Sequence, residues 1–154
     1  MITLFIDTSI SFPTISLLKD NKILFNFCEE IKSDMSSKIL PIIDEALNKI
    51  NLEMNSIHNI FVVTGPGSFT GVRIGVTIAK TLAYTLNIPI KTITSLKAYA
   101  VSSDKETNKL VTIEDLKGKY IGYFDKNNNL LSDYTYLKND EYERYIKEKE
   151  QYLN

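Results

Sequence analysis

Several residue types that carry chemistry in proteins are scarce in this chain of 154 residues. Its one cysteine, Cys28, excludes an internal disulfide, is typical of a reducing compartment and, on an apolar strand, is expected in the core. Its one histidine, His58, lies in a polar segment and argues against the clusters of His and Cys ligands in catalytic zinc and iron sites. A lone histidine also disfavours Ser-His-Asp catalysis. We therefore expect no metal and no cofactor.

Arginine and long apolar runs are also scarce. Arginine occurs only as Arg73 and Arg144, and the net charge is −1, so nothing in the composition predicts direct binding of nucleic acid. No apolar run approaches the length that spans a membrane, and residues 1–6 lack the basic start of a signal peptide. We therefore expect a soluble, cytoplasmic protein without membrane contacts.

Apolar runs and turn residues predict a mixed α/β sheet in the first two thirds of the chain. Strands are expected over residues 2–6, 14–18, 23–27, 60–63 and 89–93. Helices are expected to begin at Ser36 or Ser37, at Thr70 and at Ser95. Pro41 is expected in or near the first turn of its helix, because a proline deeper inside costs about 3 kcal/mol.

The character of the sequence changes after residue 102. A polar segment is followed by three short strand candidates and a charged helix, over residues 110–113, 120–124, 130–136 and 140–153. The Lys-Asn-Asn-Asn turn of residues 126–129 separates the last two strands. These elements fall short of a complete second α/β domain. We therefore expect an N-terminal domain over residues 1–102 and a truncated second domain over residues 103–154.

Residues 65–75 form the most informative motif, Gly-Pro-Gly-Ser-Phe-Thr-Gly-Val-Arg-Ile-Gly. An apolar run precedes the motif, which predicts a strand, a tight loop and then a helix. Gly65 and Gly67 allow backbone angles closed to other residues, and Ser68 and Thr70 are candidate N-caps. Such a loop either cradles a phosphate on its N–H groups or turns the chain so that the helix packs on its sheet.

The helix that follows the motif is apolar nearly all round, which predicts that it is buried nearly all round. Small residues at every fourth position form a ridge along it: Gly71, Gly75, Ala79 and Ala83. A second stripe consists of Ile74, Ile78 and Leu82. The ridge suits close approach of another helix, from residues 36–50 or from a partner, and it also suits packing on the chain's own sheet. The sequence leaves both interpretations open.

Asp7, Thr8 and Ser9 follow the first predicted strand and resemble the first phosphate loop of the actin, sugar-kinase and Hsp70 superfamily. In that superfamily the acidic residue lies near a metal and small hydroxyl residues meet the nucleotide phosphates. One interpretation of the chain is therefore a reduced actin-like ATPase or kinase relative that binds ATP there and at residues 65–71. These residues depart from the Walker spacing, because no Lys-Ser/Thr pair follows the second glycine.

The motif of residues 65–75 also resembles the signature of the TsaB (YeaZ) family. Three shorter stretches share the resemblance: Ile6-Asp7-Thr8-Ser9, Ile39-Leu40-Pro41, and Ile88-Pro89 followed by Thr94-Ser95-Leu96. The resemblance implies an actin-like fold of the ribonuclease H-like ASKHA superfamily. It also implies a non-catalytic subunit that pairs with a catalytic TsaD-like subunit and works with a TsaE-like ATPase. That complex transfers a threonylcarbamoyl group from its adenylate to the adenosine 3′ of the anticodon, in tRNAs reading codons that begin with A.

The resemblance further implies that pairing uses the helices of the first domain, and that tRNA is met only through the complex. Partner contacts are therefore assigned to Ile39, Ile43, Leu47, Gly71, Arg73, Gly75, Ile78, Ala79, Leu82 and Ala83. A structural role is assigned to Gly65, Pro66, Gly67, Ser68, Phe69 and Thr70, and no catalytic residue is assigned. A further alternative is an interaction module that forms a homodimer.

Overall fold

A computed structural model describes residues 1–153, with side chains described for residues 1–148. The chain forms two compact units, Met1–Ile93 and Thr94–Asn154. The helix predicted to begin at Ser95 therefore falls in the second unit, whereas the boundary predicted after residue 102 puts it in the first domain. Within the described residues, no helix has the length and apolar character needed to cross a membrane.

The first unit is a five-stranded mixed sheet with two long helices. Its elements are β1 (Ile2–Asp7), β2 (Thr14–Lys19), β3 (Lys22–Cys28), α1 (Met35–Lys49), a 3-10 turn (Met54–Ser56), β4 (Asn59–Val63), α2 (Phe69–Leu86) and β5 (Ile90–Ile93). The strand order is β3-β2-β1-β4-β5. β1 is antiparallel to β2 and parallel to β4, and β4 is parallel to β5, so the predicted mixed sheet is confirmed.

The core of the first unit lies between one face of this sheet and the two helices. Leu4 of β1 pairs with Leu17 on one side and with Ile60 on the other, which brings the three side chains to the same face. All three are fully buried, as are Ile39 and Ile43 of α1, in a single apolar cluster. Burial of this face therefore fixes how α1 and α2 lie on the sheet.

Pro41 lies deeper in its helix than the sequence predicts. α1 begins at Met35, so Pro41 is in the second turn and the expectation of a first-turn proline is wrong. An interior proline costs about 3 kcal/mol. The helix continues across it because Ile39 and Ile43 are fully buried on either side, and each such side chain contributes about 1.5–3 kcal/mol on burial.

Cys28 also differs from its expectation, because it is exposed rather than part of the core. It is the last residue of β3, which is an edge strand of the sheet. A strand with only one neighbour leaves much of its surface in contact with solvent, and only Phe25 and Phe27 of β3 pack against the core.

The small-residue ridge of α2 packs on the sheet of its own unit. A Cβ atom added to Gly71 would collide with the carbonyl oxygen of Thr8, and one added to Gly75 would collide with the Thr8 hydroxyl. Ala79 and Ala83 are buried as well. The small residues of the ridge therefore allow α2 to approach β1 closely. Of the two interpretations of the ridge, the structure shows packing on the chain's own sheet and not against a partner helix.

The same packing removes most of the predicted partner contacts from the surface. The buried members of that set are Ile39, Ile43, Leu47, Gly71, Gly75, Ile78, Ala79 and Ala83. Leu82 is half-buried and packs against the core, and Arg73 is exposed. In this structure the sheet of their own unit covers the apolar side of both helices, so the eight buried residues contact their own unit.

The second unit is a three-stranded antiparallel sheet with two helices. Its elements are α3 (Ser95–Ser102), β6 (Lys109–Asp115), β7 (Gly118–Phe124), β8 (Thr135–Lys138) and α4 (Asn139–Leu153), with strand order β6-β7-β8. The strand predicted over residues 130–136 is confirmed only at its end, because β8 begins at Thr135 and Leu130 makes only an isolated bridge to Phe124.

The turn that precedes this predicted strand is held by hydrogen bonds. The Asp125 carboxylate accepts the side-chain amide and the backbone N–H of Asn129 and the backbone N–H of Asn127, at 2.7–2.9 Å. The Asn129 side chain is the main cause that lowers the pKa of Asp125, followed by the Asn129 backbone. Buried Lys109 secures the other side of the turn, because its ammonium donates to Asn128 Oδ1 at 2.7 Å and to the Ala100 carbonyl at 3.0 Å.

The contact between α2 and β1 predicts that Gly71→Ala destabilises the first unit. The added methyl meets backbone at Thr8, which cannot rotate away, so the cost should be about 1–3 kcal/mol. Urea unfolding followed by circular dichroism measures it. Thr77→Ala, on the exposed face of the same helix, is the matched control and should stay within about 0.5 kcal/mol. Equal unfolding midpoints for Gly71→Ala and the parent chain would contradict the packing described.

Candidate functional site: a groove between the first two helices

The motif of residues 65–75 forms a tight connection from β4 to α2. Gly65 has a positive φ of 85°, which favours glycine, and the Gly65–Pro66 peptide bond is cis. Ser68 is the N-cap of α2, where its hydroxyl accepts the backbone N–H of Gly71 at 3.2 Å. The predicted cap at Ser68 is therefore confirmed, and Thr70 lies in the first turn of the helix instead.

The predicted phosphate loop at the end of β1 is packed into this connection. Thr8 and Ser9 are almost completely buried, and the Thr8 hydroxyl donates to the Gly71 carbonyl at 2.7 Å. The Ser68 N–H donates to the Ser9 carbonyl at 2.7 Å, and the Ser9 N–H donates to Asp7 Oδ1 at 2.8 Å. A Cβ added to Gly67 would overlap the Ser9 carbonyl oxygen. The segment therefore closes against the loop of residues 65–71 and leaves no cradle between them.

A groove lies between the start of α1 and the first half of α2. Its volume is about 400 Å³. It is lined by Ser36, Phe69, Thr70, Arg73, Ile74, Thr77 and Ile78. Within this lining Arg73 is the only charged residue. A second cavity, of about 360 Å³, adjoins the groove, since it shares Ser36, Thr70 and Ile74 with it. Such a surface, apolar at the floor and wide open, suits a macromolecular side chain or helix better than a small polar ligand.

An aromatic residue and an arginine stand together at one end of the groove. Phe69 is 71% exposed, which is unusual for a large apolar side chain. The Arg73 guanidinium carbon lies 3.8 Å from the centre of the Phe69 ring, one helical turn further along α2. Aromatic and arginine side chains are the types enriched at the energetic centres of protein interfaces. The pair is therefore the most interface-like feature of this groove.

The sequence predicts a partner contact for Arg73, only a structural role in the loop for Phe69, and no site role for Ser36 or Thr77, which also line the groove. The signal that finds Phe69 and Thr77 is the helical period of 3.6 residues, because positions of α2 opposite the glycine ridge must face outward once the ridge is covered. The helical period alone separates α2 into two faces, but it does not say which face the sheet covers and which face is exposed.

Among the side chains of residues 1–148, no three His, Cys, Asp or Glu residues come together in a group that could hold a metal ion. His58 is exposed, and its Nδ1 accepts the backbone N–H of Ile2 at 3.1 Å. This hydrogen bond gives His58 a structural contact at the start of β1.

Sequence comparison identifies relatives over most of the chain. Residues 28–115 match the family model described as TsaD: tRNA N6-adenosine threonylcarbamoyltransferase. The tRNA threonylcarbamoyladenosine biosynthesis protein TsaB of Bacillus subtilis is 36% identical over 133 residues, which cover 85% of this chain and 58% of that protein. The protein of the same name from Buchnera aphidicola subsp. Schizaphis graminum is 34% identical over 84% of this chain and 63% of its own length. The chain thus spans about six tenths of the length of these relatives.

Structural comparison gives the same neighbours. YeaZ from Pseudomonas aeruginosa superimposes with a TM-score of 0.78 at 22% identity, covering 89% of this chain and 67% of that one. At this level of identity the likeness concerns the fold. The predicted actin-like class of mixed sheet with helices is therefore confirmed.

The closed contact between the end of β1 and the loop predicts that the chain alone does not bind ATP. Titration calorimetry with Mg·ATP should give no saturable heat up to about 1 mM nucleotide, a concentration that would detect even weak binding. Thr8→Val is the matched variant, since it removes the hydroxyl with little change in volume. Saturable binding that Thr8→Val weakens would instead support the ATPase or kinase interpretation.

Proposed function

Because this chain belongs to the TsaB (YeaZ) family, we propose that it is a non-catalytic scaffold that holds and activates a catalytic TsaD-like subunit. In this role it supports transfer of a threonylcarbamoyl group from its adenylate to the adenosine 3′ of the anticodon, in tRNAs reading codons that begin with A. A TsaE-like ATPase completes the assembly. The chain itself contributes a protein surface and no reacting group.

One observation carries the proposal: α2 leaves an apolar and aromatic surface exposed beside α1. The groove of about 400 Å³ has Ile74 and Ile78 at its floor and Phe69 at its rim. Leu40 of α1 is 45% exposed on the neighbouring helix. Exposed apolar surface of this kind favours association with another protein, because burial there removes it from water.

The packing around Thr8 favours a scaffold role for this chain over a catalytic role. In the actin, sugar-kinase and Hsp70 superfamily the equivalent hydroxyls face phosphates, whereas here the Thr8 hydroxyl donates its hydrogen bond to the Gly71 carbonyl. The same hydrogen bond joins β1 to the first turn of α2. Interactions that elsewhere hold a ligand therefore hold the interface helix in position.

The proposal predicts a one-to-one complex with the TsaD-like protein of the same organism, measured by size-exclusion chromatography with light scattering. Phe69→Asp should weaken that complex about tenfold or more, because it replaces an aromatic side chain of the apolar contact with a charge. The exposed position of Phe69 means that folding should be unaffected.

Leu116→Asp is the matched control, since Leu116 is 96% exposed and is not one of the residues that line the groove. It should leave the complex intact. In a reconstituted system, loss of tRNA modification should follow Phe69→Asp and spare Leu116→Asp. A Phe69→Asp chain that co-elutes with the TsaD-like protein as the parent does would argue that pairing uses another surface.

A further inference from the structure

The outward face of α2 carries charge of one sign. Helical geometry puts Phe69, Arg73, Lys80 and Tyr84 within an arc of about 60°, opposite the buried glycine ridge. Phe69 and Tyr84 are 71% and 90% exposed, and Arg73 and Lys80 are exposed between them. No residue of α2 is acidic. The helix therefore presents two aromatic side chains with two cations between them.

Neither cation has a counter-ion among the side chains of residues 1–148. The ion pairs formed by the described side chains involve other lysines and the N-terminus, so neither Arg73 nor Lys80 has a carboxylate within 4.0 Å in that part of the chain. Arg73 instead stacks on Phe69, which holds the guanidinium over the rim of the groove with its N–H donors available. A cation held in position without a partner favours an anion supplied from outside.

We infer that the outward face of α2 receives an acidic amphipathic helix of the partner, with carboxylates opposite Arg73 and Lys80 and apolar residues packed between Phe69 and Tyr84. This inference rests on the proposed function and specifies the chemistry of the partner surface. Arg73 and Lys80 lie seven residues apart, or about 10 Å along the helix. Acidic residues spaced by about two turns on the partner helix match that separation.

Charge also distinguishes this partner from a second copy of the chain. A two-fold contact centred on α2 brings the same patch of both copies together. Such a contact would place Arg73 and Lys80 of one copy close to the same two cations of the other copy. Like charges across an interface are unfavourable. The charge of this face therefore favours an acidic partner over a second copy of the chain.

The test measures the dissociation constant for the TsaD-like protein of the same organism at about 50 and 300 mM NaCl, concentrations that differ strongly in screening. For the parent chain, affinity should fall as salt rises. The double variant Arg73→Gln/Lys80→Gln should bind several-fold more weakly at low salt and lose most of the salt dependence. Arg73→Glu should weaken binding at low salt by about tenfold or more.

Two variants serve as controls. Lys91→Glu changes the charge by the same amount on the exposed strand β5, outside the groove, and should bind as the parent does. Arg73→Lys keeps the charge and loses the planar guanidinium, so it should retain the salt dependence while binding more weakly.

The outcomes separate the two proposals. Tight binding by the parent chain that Arg73→Glu and the double variant leave unchanged would overturn the acidic-helix inference and leave the scaffold function standing. No binding by the parent chain would overturn the scaffold function and this inference with it. A homodimer that Phe69→Asp dissociates, without binding to the TsaD-like protein, would identify a second copy as the occupant and contradict the inference.

Discussion

The close approach of α2 to the end of β1 determines most of what the first unit presents to its surroundings. Gly71 and Gly75 allow it, because any side chain at either position would overlap Thr8. The Thr8 hydroxyl and the Gly71 carbonyl then form a buried hydrogen bond of 2.7 Å. An unpaired hydroxyl in such a site costs about 1–3 kcal/mol, so the two elements are held in a fixed relation. The direction of α2, and therefore its outward face, follows from this contact.

This contact divides α2 into two faces with different uses. A glycine in the interior of a helix costs about 0.5–1 kcal/mol relative to alanine, and here that cost is offset by close packing on β1. The opposite face is free to carry Phe69, Arg73 and Tyr84, which contribute little to the core. The loop of residues 65–71 thus serves to orient the helix, and the groove beside α1 is the product of that orientation.

The sequence predicted the mixed sheet, the cap at Ser68 and the turn over residues 126–129, because each follows from local patterns. It predicted Cys28 and Pro41 incorrectly, since edge position and burial of neighbouring isoleucines are properties of the whole unit. The candidate site shows the same limit. Periodicity identified the glycine ridge, but it could not say that β1 covers the ridge, so residues that the structure buries were predicted as partner contacts.

The central claim is that α2 faces its own sheet with glycine and alanine and faces a partner with Phe69 and Tyr84. Hydroxyl-radical footprinting of the chain, alone and with the TsaD-like protein, tests it most directly, because it reports the exposure of each aromatic side chain. Phe69 and Tyr84 should lose reactivity in the complex, while Tyr99 of the second unit, 45% exposed, should keep it. Unchanged reactivity of Phe69 and Tyr84 in a formed complex would contradict the account.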